Sequence, residues 1–322
     1  MGKTVMTVTG PVATEKLGHT WMHEHLICSS MGIATHYPQM YRPDYKEQLH
    51  KDIKEMMDGG ISTVVEATPV CLGRDVRTLK EISEETGLQI VATTGWWGVC
   101  PPYFSPYTEE MWTRCFIDDL TKGCDGTDIK AGILKAAMDK DGPTEWRKTI
   151  HHAVGQAQLE TGAKIFLHTY CPTGTPRHQL QFLKEVGVDM KNVVVDHLPE
   201  TCEFDLIQWI YDQGAWLGLD RIPCMCFPGE YPNSLNGRLA LCKQVFDAGM
   251  GDRVLFSHDF TSVSPLFDNQ NDEIKAFLAE QIPDRFMFLK KHFFPMLAEQ
   301  GVDPDYLWRI TEENPRRFFE GE

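Results

Sequence analysis

Short apolar runs rich in β-branched residues recur along the chain at 21–26, 62–68, 89–94, 131–137, 164–170, 192–198, 215–220 and 254–260. Each is almost continuously hydrophobic, as strands buried on both faces should be, rather than alternating like a sheet with one wet face. Between the runs the apolar positions change to helical spacing. Leu49, Ile53, Met56 and Met57 recur at steps of three and four ahead of Gly59-Gly60, and Leu79 and Ile82 repeat the pattern before Gly87. Pro143-Thr144-Glu145-Trp146 predicts the start of another helix with proline in its first turn. Further helical stretches fall at 179–186, 204–211, 239–248, 286–300 and 304–319.

Strand and helix alternating eight times predict a (β/α)₈ TIM barrel, expected as a single domain over 1–322. The rival, an open doubly wound sheet, calls for a Gly-x-Gly-x-x-Gly turn after an early strand, and the chain has none.

Composition narrows the partners. Hydrophobic residues make up 42% and charged residues 24%, enough apolar material for a packed core. A net charge of -15 disfavours nucleic acid and anionic membranes. No run approaches the ~20 apolar residues of a membrane span, and the N-terminus has no export signal, so a cytoplasmic protein is expected. The 10 cysteines lack metal-type spacing and read as reduced, buried thiols.

The ligand-type residues then fall where such a barrel does its chemistry. His23 and His25 end the first strand, Lys135 the fourth, His168 the fifth, His197 the sixth and Asp259 the eighth. Active sites of this fold lie at those carboxyl ends. Alternation predicts that His23 and His25 share a face, with Glu24 turned away. Imidazole and carboxylate suit zinc and related divalent ions, and four histidines with one aspartate could hold two. An ammonium between two dications would be repelled, so Lys135 must be neutral or chemically converted there; carbamylation would make it an anionic bridging group. For a histidine taken alone, a hydrogen-bonded core position is the commoner outcome. His36, His50, His151, His152, His178 and His292 are read as surface residues, and His19, ahead of the first strand, stays unassigned.

The motifs His23-Glu24-His25-Leu26, Ala131-Gly132-Ile133-Leu134-Lys135, Leu167-His168-Thr169, Val195-Asp196-His197-Leu198, Gly218-Leu219-Asp220-Arg221 and Ser257-His258-Asp259 carry a resemblance. Together they resemble the phosphotriesterase family of the amidohydrolase superfamily, including its lactonase branch. The resemblance runs from about Thr7 to Phe319. It implies a distorted barrel with a binuclear centre. One ion would be held by His23, His25 and Asp259, the other by His168 and His197, with carbamylated Lys135 and a hydroxide between them. Zinc is the expected metal, with manganese, cobalt or iron as alternatives, and Asp259 would take the proton of the attacking hydroxide.

Substrate signals diverge. Arg221 falls where the lactonase branch carries an arginine able to hydrogen-bond an ester oxygen or a carboxylate. Trp97 falls where lactonases commonly have tyrosine and phosphotriesterases have tryptophan, and it offers an apolar wall. One of Trp96 and Trp97 is expected only to pack. Pro101-Pro102-Tyr103-Phe104 and Cys224-Met225-Cys226-Phe227-Pro228-Gly229 are expected as adaptable walls. Asp196 stands where the family usually has glycine. The expected activity is opening of small cyclic esters, with phosphotriester hydrolysis as a side activity. Alternatives are a true aryldialkylphosphatase, an amidase for N-acylated small acids, or a non-catalytic metal-binding protein. A homodimer through the 101–107 surface is the expected assembly.

Overall fold

The computed structural model describes residues 3–98, 100–200, 203–223, 234–265, 280 and 282–322. A hairpin of β1 (Thr4–Thr7) and β2 (Gly10–Ala13) leads into β3 (His19–Ile27). The remaining strands are β4 (Ile61–Glu66), β5 (Gln89–Val91), β6 (Thr93–Gly95), β7 (Ile133–Ala137), β8 (Lys164–His168), β9 (Val193–Val195), β10 (Trp216–Leu219), β11 (Val254–Phe256) and β12 (Thr261–Val263). Neighbours run in the orders β11-β10-β9-β8-β7-β6 and β12-β3-β4-β5, and every pair in both sheets is parallel.

The two sheets are arcs of one barrel. β5 and β6 are halves of the predicted third strand, separated only by Ala92, and β11 and β12 flank the 257–260 turn of the predicted eighth. Backbone bonds from Asp259 N to His23 O (3.0 Å) and from His25 N to Phe260 O (2.8 Å) carry the circuit across that turn to β3. All eight predicted runs are therefore strands of a distorted (β/α)₈ barrel.

Met22, Val65, Val91, Ile133, Phe166, Val194, Trp216 and Leu255, one from each run, form a buried cluster of their own, closed by Leu17 and Phe318. This layer fills the barrel, as side chains do in small barrels. The candidate ligand residues lie beyond it toward the carboxyl ends of the runs: His23 directly follows Met22, and the others stand two to four positions after the filling residue of their run.

Most predicted helices are present with shifted ends. The stretch before Gly59-Gly60 is helix Tyr45–Asp58, and Gly60 takes the left-handed conformation at φ 95°. Helix Val76–Thr86 ends at Gly87 with φ 83°. Pro143 is not in a first turn. The helix is Glu145–Thr161, capped by the Thr144 hydroxyl, which accepts from Arg147 N at 3.2 Å, so the polar cap outcompetes the proline as the start signal. The 286–300 stretch is a 3₁₀ turn at Arg285–Met287, a π-helical segment at Leu289–Phe293 and helix Phe294–Glu299, whereas the closing helix is α throughout from Pro304 to Glu320. No helix among the described residues is long and apolar enough to cross a membrane.

Candidate metal centre

The backbone that presents the site is unusual at three places. His197, Arg221 and Asp259 follow β9, β10 and β11, and all three are non-glycine residues with left-handed φ, of 66°, 53° and 54°. Such backbone is costly and persists where surrounding bonds fix it. Asp220 Oδ1 accepts from His197 N at 2.8 Å. Glu24 fixes the turn that carries Asp259: its buried carboxylate accepts from Ser257 Oγ (2.8 Å), His258 N (2.9 Å), His258 Nδ1 (2.7 Å) and Phe260 N (2.9 Å). The pairing of β3 with β4 is irregular between Trp21 and Glu24, so simple alternation fails over the motif itself.

His23 and His25 nevertheless converge. Their Nε2 atoms lie 3.5 and 3.1 Å from Asp259 Oδ1. With metal–ligand bonds of about 2.1 Å, the edge of a tetrahedral coordination shell is roughly 3.4 Å, so these three donors fit one divalent ion. On the other side of the mouth His197 Nε2 and His168 Nδ1 face each other at 2.7 Å, within hydrogen-bonding distance. Lys135 lies beside the first group, with Nζ 2.9 Å from His23 Nε2 and 2.9 Å from Ala67 O. All six predicted positions meet at one mouth.

The electrostatics suit a centre that takes up cations. Burial lowers the proton affinity of His23, His25, His168 and His197, so these imidazoles are neutral and able to ligate. Burial likewise pulls the Lys135 amine below its ordinary value, the direction needed for a neutral nucleophilic nitrogen. Burial would raise Asp259, but the Arg221 guanidinium and the surrounding histidines outweigh it and hold the carboxyl well below the usual carboxylate range.

Three of these histidines have oxygen atoms close behind the ring. His25 Nδ1 meets Thr68 Oγ1 at 2.7 Å, and His197 Nδ1 meets Asp220 Oδ1 at 2.8 Å. His23 Nδ1 lies 3.0 Å from Asp196 Oδ2 and 3.4 Å from Asp220 Oδ2. Burial pushes both carboxyls well above the usual range, aided by Asp220 for Asp196 and by Asp259 for Asp220.

Arg221 is engaged within the protein. Nε donates to Asp259 Oδ2 at 2.7 Å and Nη1 to Glu200 Oε1 at 2.5 Å. Glu200 is fully buried and is pushed up to about 7, burial outweighing the opposing Arg221 charge. The half-buried Trp97 sets its edge against His168, with ring centroids 5.4 Å apart, whereas Trp96 packs against Phe104, Trp112 and Trp146. Trp96 is thus the packing member of the pair. Trp97, Cys71, Leu72, Pro101 and Tyr103 line a cavity of about 670 Å³ beside the mouth. The predicted wall at 224–229 lies outside the described residues.

Two sequence expectations change. His151 is completely buried rather than on the surface: Nδ1 bonds Arg147 O at 2.6 Å and Nε2 accepts from Gln179 at 3.1 Å. His19 begins β3 and takes no part in the mouth. It stacks on Trp308 and bonds Thr311. The carboxylates behind the histidines carry no ligand spacing of their own; their mark in the sequence is an acid set among buried apolar residues, as in Val195-Asp196 and Leu219-Asp220.

The model of the phosphotriesterase family matches residues 3–319. The chain belongs to this family. Its members are metal-dependent hydrolases acting on small molecules. Similar proteins include an aryldialkylphosphatase of Saccharolobus solfataricus, 30% identical over 96% of each chain. A phosphotriesterase homology protein of Mycobacterium tuberculosis is 29% identical over 98% of this chain and 97% of its own. The N-acetyltaurine hydrolase of Xenopus tropicalis is 24% identical over the same shares. The His/Asp groupings of the mouth agree with the family's use of divalent metals.

Proposed function

We propose that the protein is a two-metal hydrolase whose main reaction is the opening of small lactones. The observation that carries this reading is the pairing of Arg221 with Asp259, which sets an ionised carboxylate and a cation beside the His23 and His25 donors of a candidate metal site. His23, His25 and Asp259 would hold one ion and His168 and His197 the other, with Lys135, as its carbamate, between them. Two divalent ions, zinc by preference for such ligands, would supply an activated water and polarise the substrate's carbonyl.

The protein's own residues do the rest. Trp97 and the apolar cavity beside it receive the substrate body and exclude water. Arg221 keeps Asp259 ionised and oriented. As water oxygen bonds to the carbonyl carbon, Asp259 receives the released proton at Oδ2. The ring C–O bond then breaks and the proton passes to the departing alkoxide, giving a hydroxy acid. The exposed Tyr103 and Tyr107 give the 101–107 region an apolar outer surface suited to a homodimer, continued by the exposed Met111.

A second reading is hydrolysis of an N-acylated small acid, favoured by the likeness to N-acetyltaurine hydrolases. A third is phosphotriester hydrolysis, favoured by the likeness to an aryldialkylphosphatase. A panel of γ- and δ-lactones, homoserine lactones, N-acyl amino acids and an aryl phosphotriester, run on zinc- and manganese-loaded protein, separates them. Lactone kcat/KM of about 10⁴ M⁻¹s⁻¹ or more, with the others far below, is the expected result. A triester or N-acyl substrate ahead of every lactone would overturn the lactonase reading.

A further inference from the structure

Asp196 follows Val194 by two positions, and Val194 is one of the residues that fill the barrel. Alternation therefore points Asp196 inward too, into the layer between the apolar filling and the mouth. Its side chain is almost fully buried. Room for it comes from the next strand: a Cβ on Gly218 would lie 2.5 Å from Asp196 Oδ1. A buried carboxylate with space made for it by a missing side chain calls for a partner. The nearest candidate is His23, whose Nδ1 is 3.0 Å from Asp196 Oδ2, and neither of these buried atoms has a hydrogen-bond partner elsewhere among the described residues.

That contact has a chemical consequence. Nδ1 of His23 faces two carboxylate oxygens, Asp196 Oδ2 and, at 3.4 Å, Asp220 Oδ2. A ring proton on Nδ1 would serve these two oxygens, which have no other hydrogen-bond partner among the described residues, and would leave the Nε2 lone pair toward Lys135 Nζ and Asp259 Oδ1. Asp220 is already committed, since its Oδ1 takes both the backbone N–H and Nδ1 of His197 at 2.8 Å. Without Asp196, His23 would be left to share Asp220 with His197 across a longer gap.

We propose that Asp196 is a positioning residue for the metal centre: it fixes the tautomer and orientation of His23, and with Asp220 forms a buried carboxylate pair serving one histidine of each metal half. The inference rests on the two-ion reading above. Outer carboxylates of this kind raise the basicity of a ligating imidazole, and their loss costs about 10- to 100-fold in metal affinity.

Zinc affinities of the wild type, Asp196→Asn and Asp196→Gly, measured by chelator competition with the bound ions counted per chain, test this. The expected result is one ion weakened by about 10- to 100-fold and the other unchanged. Wild-type affinity at both positions would overturn the proposal. Equal weakening of both would overturn it as well, because general loosening of the barrel would act on both halves. A second measurement stands even if the variants fold poorly: ¹⁵N NMR of the histidine rings in metal-free wild-type protein should find the His23 proton on Nδ1. A proton on Nε2 would overturn the proposal. If the wild type fails to bind two ions, the two-ion reading falls, while the tautomer measurement still decides the role of Asp196.

Discussion

Arg221 Nε lies 2.7 Å from Asp259 Oδ2, so the guanidinium after the seventh strand is tied to the carboxylate after the eighth. The same guanidinium bonds the buried Glu200, which leaves the arginine acting through two acids. Sequence comparison alone suggests an arginine reading the ester; the pairing assigns it first to Asp259. Arg221→Ala should therefore lower kcat at least tenfold, a loss of about 1.4 kcal/mol or more in transition-state stabilisation. The loss should be similar for lactone and triester. Steady-state kinetics on both substrates checks it, and a loss confined to lactones would instead make Arg221 a direct reader of the acyl group.

Lys135 reaches His23 and Ala67 from a buried position where its amine loses proton affinity. Lys135→Ala should lose metal and activity together. Short carboxylates such as acetate or propionate, able to stand where a carbamate would, should restore part of both. Metal content and activity with and without added carboxylate measure this; full activity in the unsupplemented variant would remove the bridging role.

Glu24 accepts four hydrogen bonds from the 257–260 turn. Glutamine keeps one acceptor oxygen and presents an amide to donors that need acceptors. Hydrogen bonds to a buried charged group are worth about 1.5–3 kcal/mol each, so Glu24→Gln should destabilise the fold by roughly 3 kcal/mol. Denaturant unfolding gives the stability. Metal affinity should fall in parallel, because the turn presents Asp259.

His151 supplies a pH dependence away from the metal centre. Burial, opposed by its bond to Arg147, brings it down to about 4 from an ordinary value of 6.5. The unfolded chain therefore binds the proton first, and folding stability falls as pH drops from 6.5 toward 4. The full shift corresponds to roughly 3 kcal/mol at most. Stability curves for wild type and His151→Gln should converge toward pH 4, and parallel curves from pH 7 to 4 would refute the assignment.

The barrel was legible because all eight runs carry the continuous apolar signature of strands buried on both faces. The six ligand-type positions were legible because they end those runs. Local geometry was not. Asp259 reads as the end of a strand, yet the strand stops at Phe256 and the aspartate sits on a left-handed turn. That turn is held by Glu24, distant in sequence, and no local pattern announces such a bond. Alternation turned Glu24 away from the site, and the irregular pairing at Trp21–Glu24 makes alternation a poor guide there. His151 sits on a helix of weak amphipathic pattern, where a buried histidine is specified only by Gln179 from the next helix. Asp196 and Asp220 were visible as acids in apolar strands, but their partners become evident only once His23 and His197 are brought together.

On the proposed reading, two divalent ions held at this mouth drive hydrolysis of a small ester. Chelator-stripped protein titrated with zinc, while lactone hydrolysis is followed against ions bound per chain, tests it most directly. Activity should be lost on stripping and return to a plateau at two ions per chain. Activity that survives stripping, or that reaches its plateau at one ion, would contradict the account.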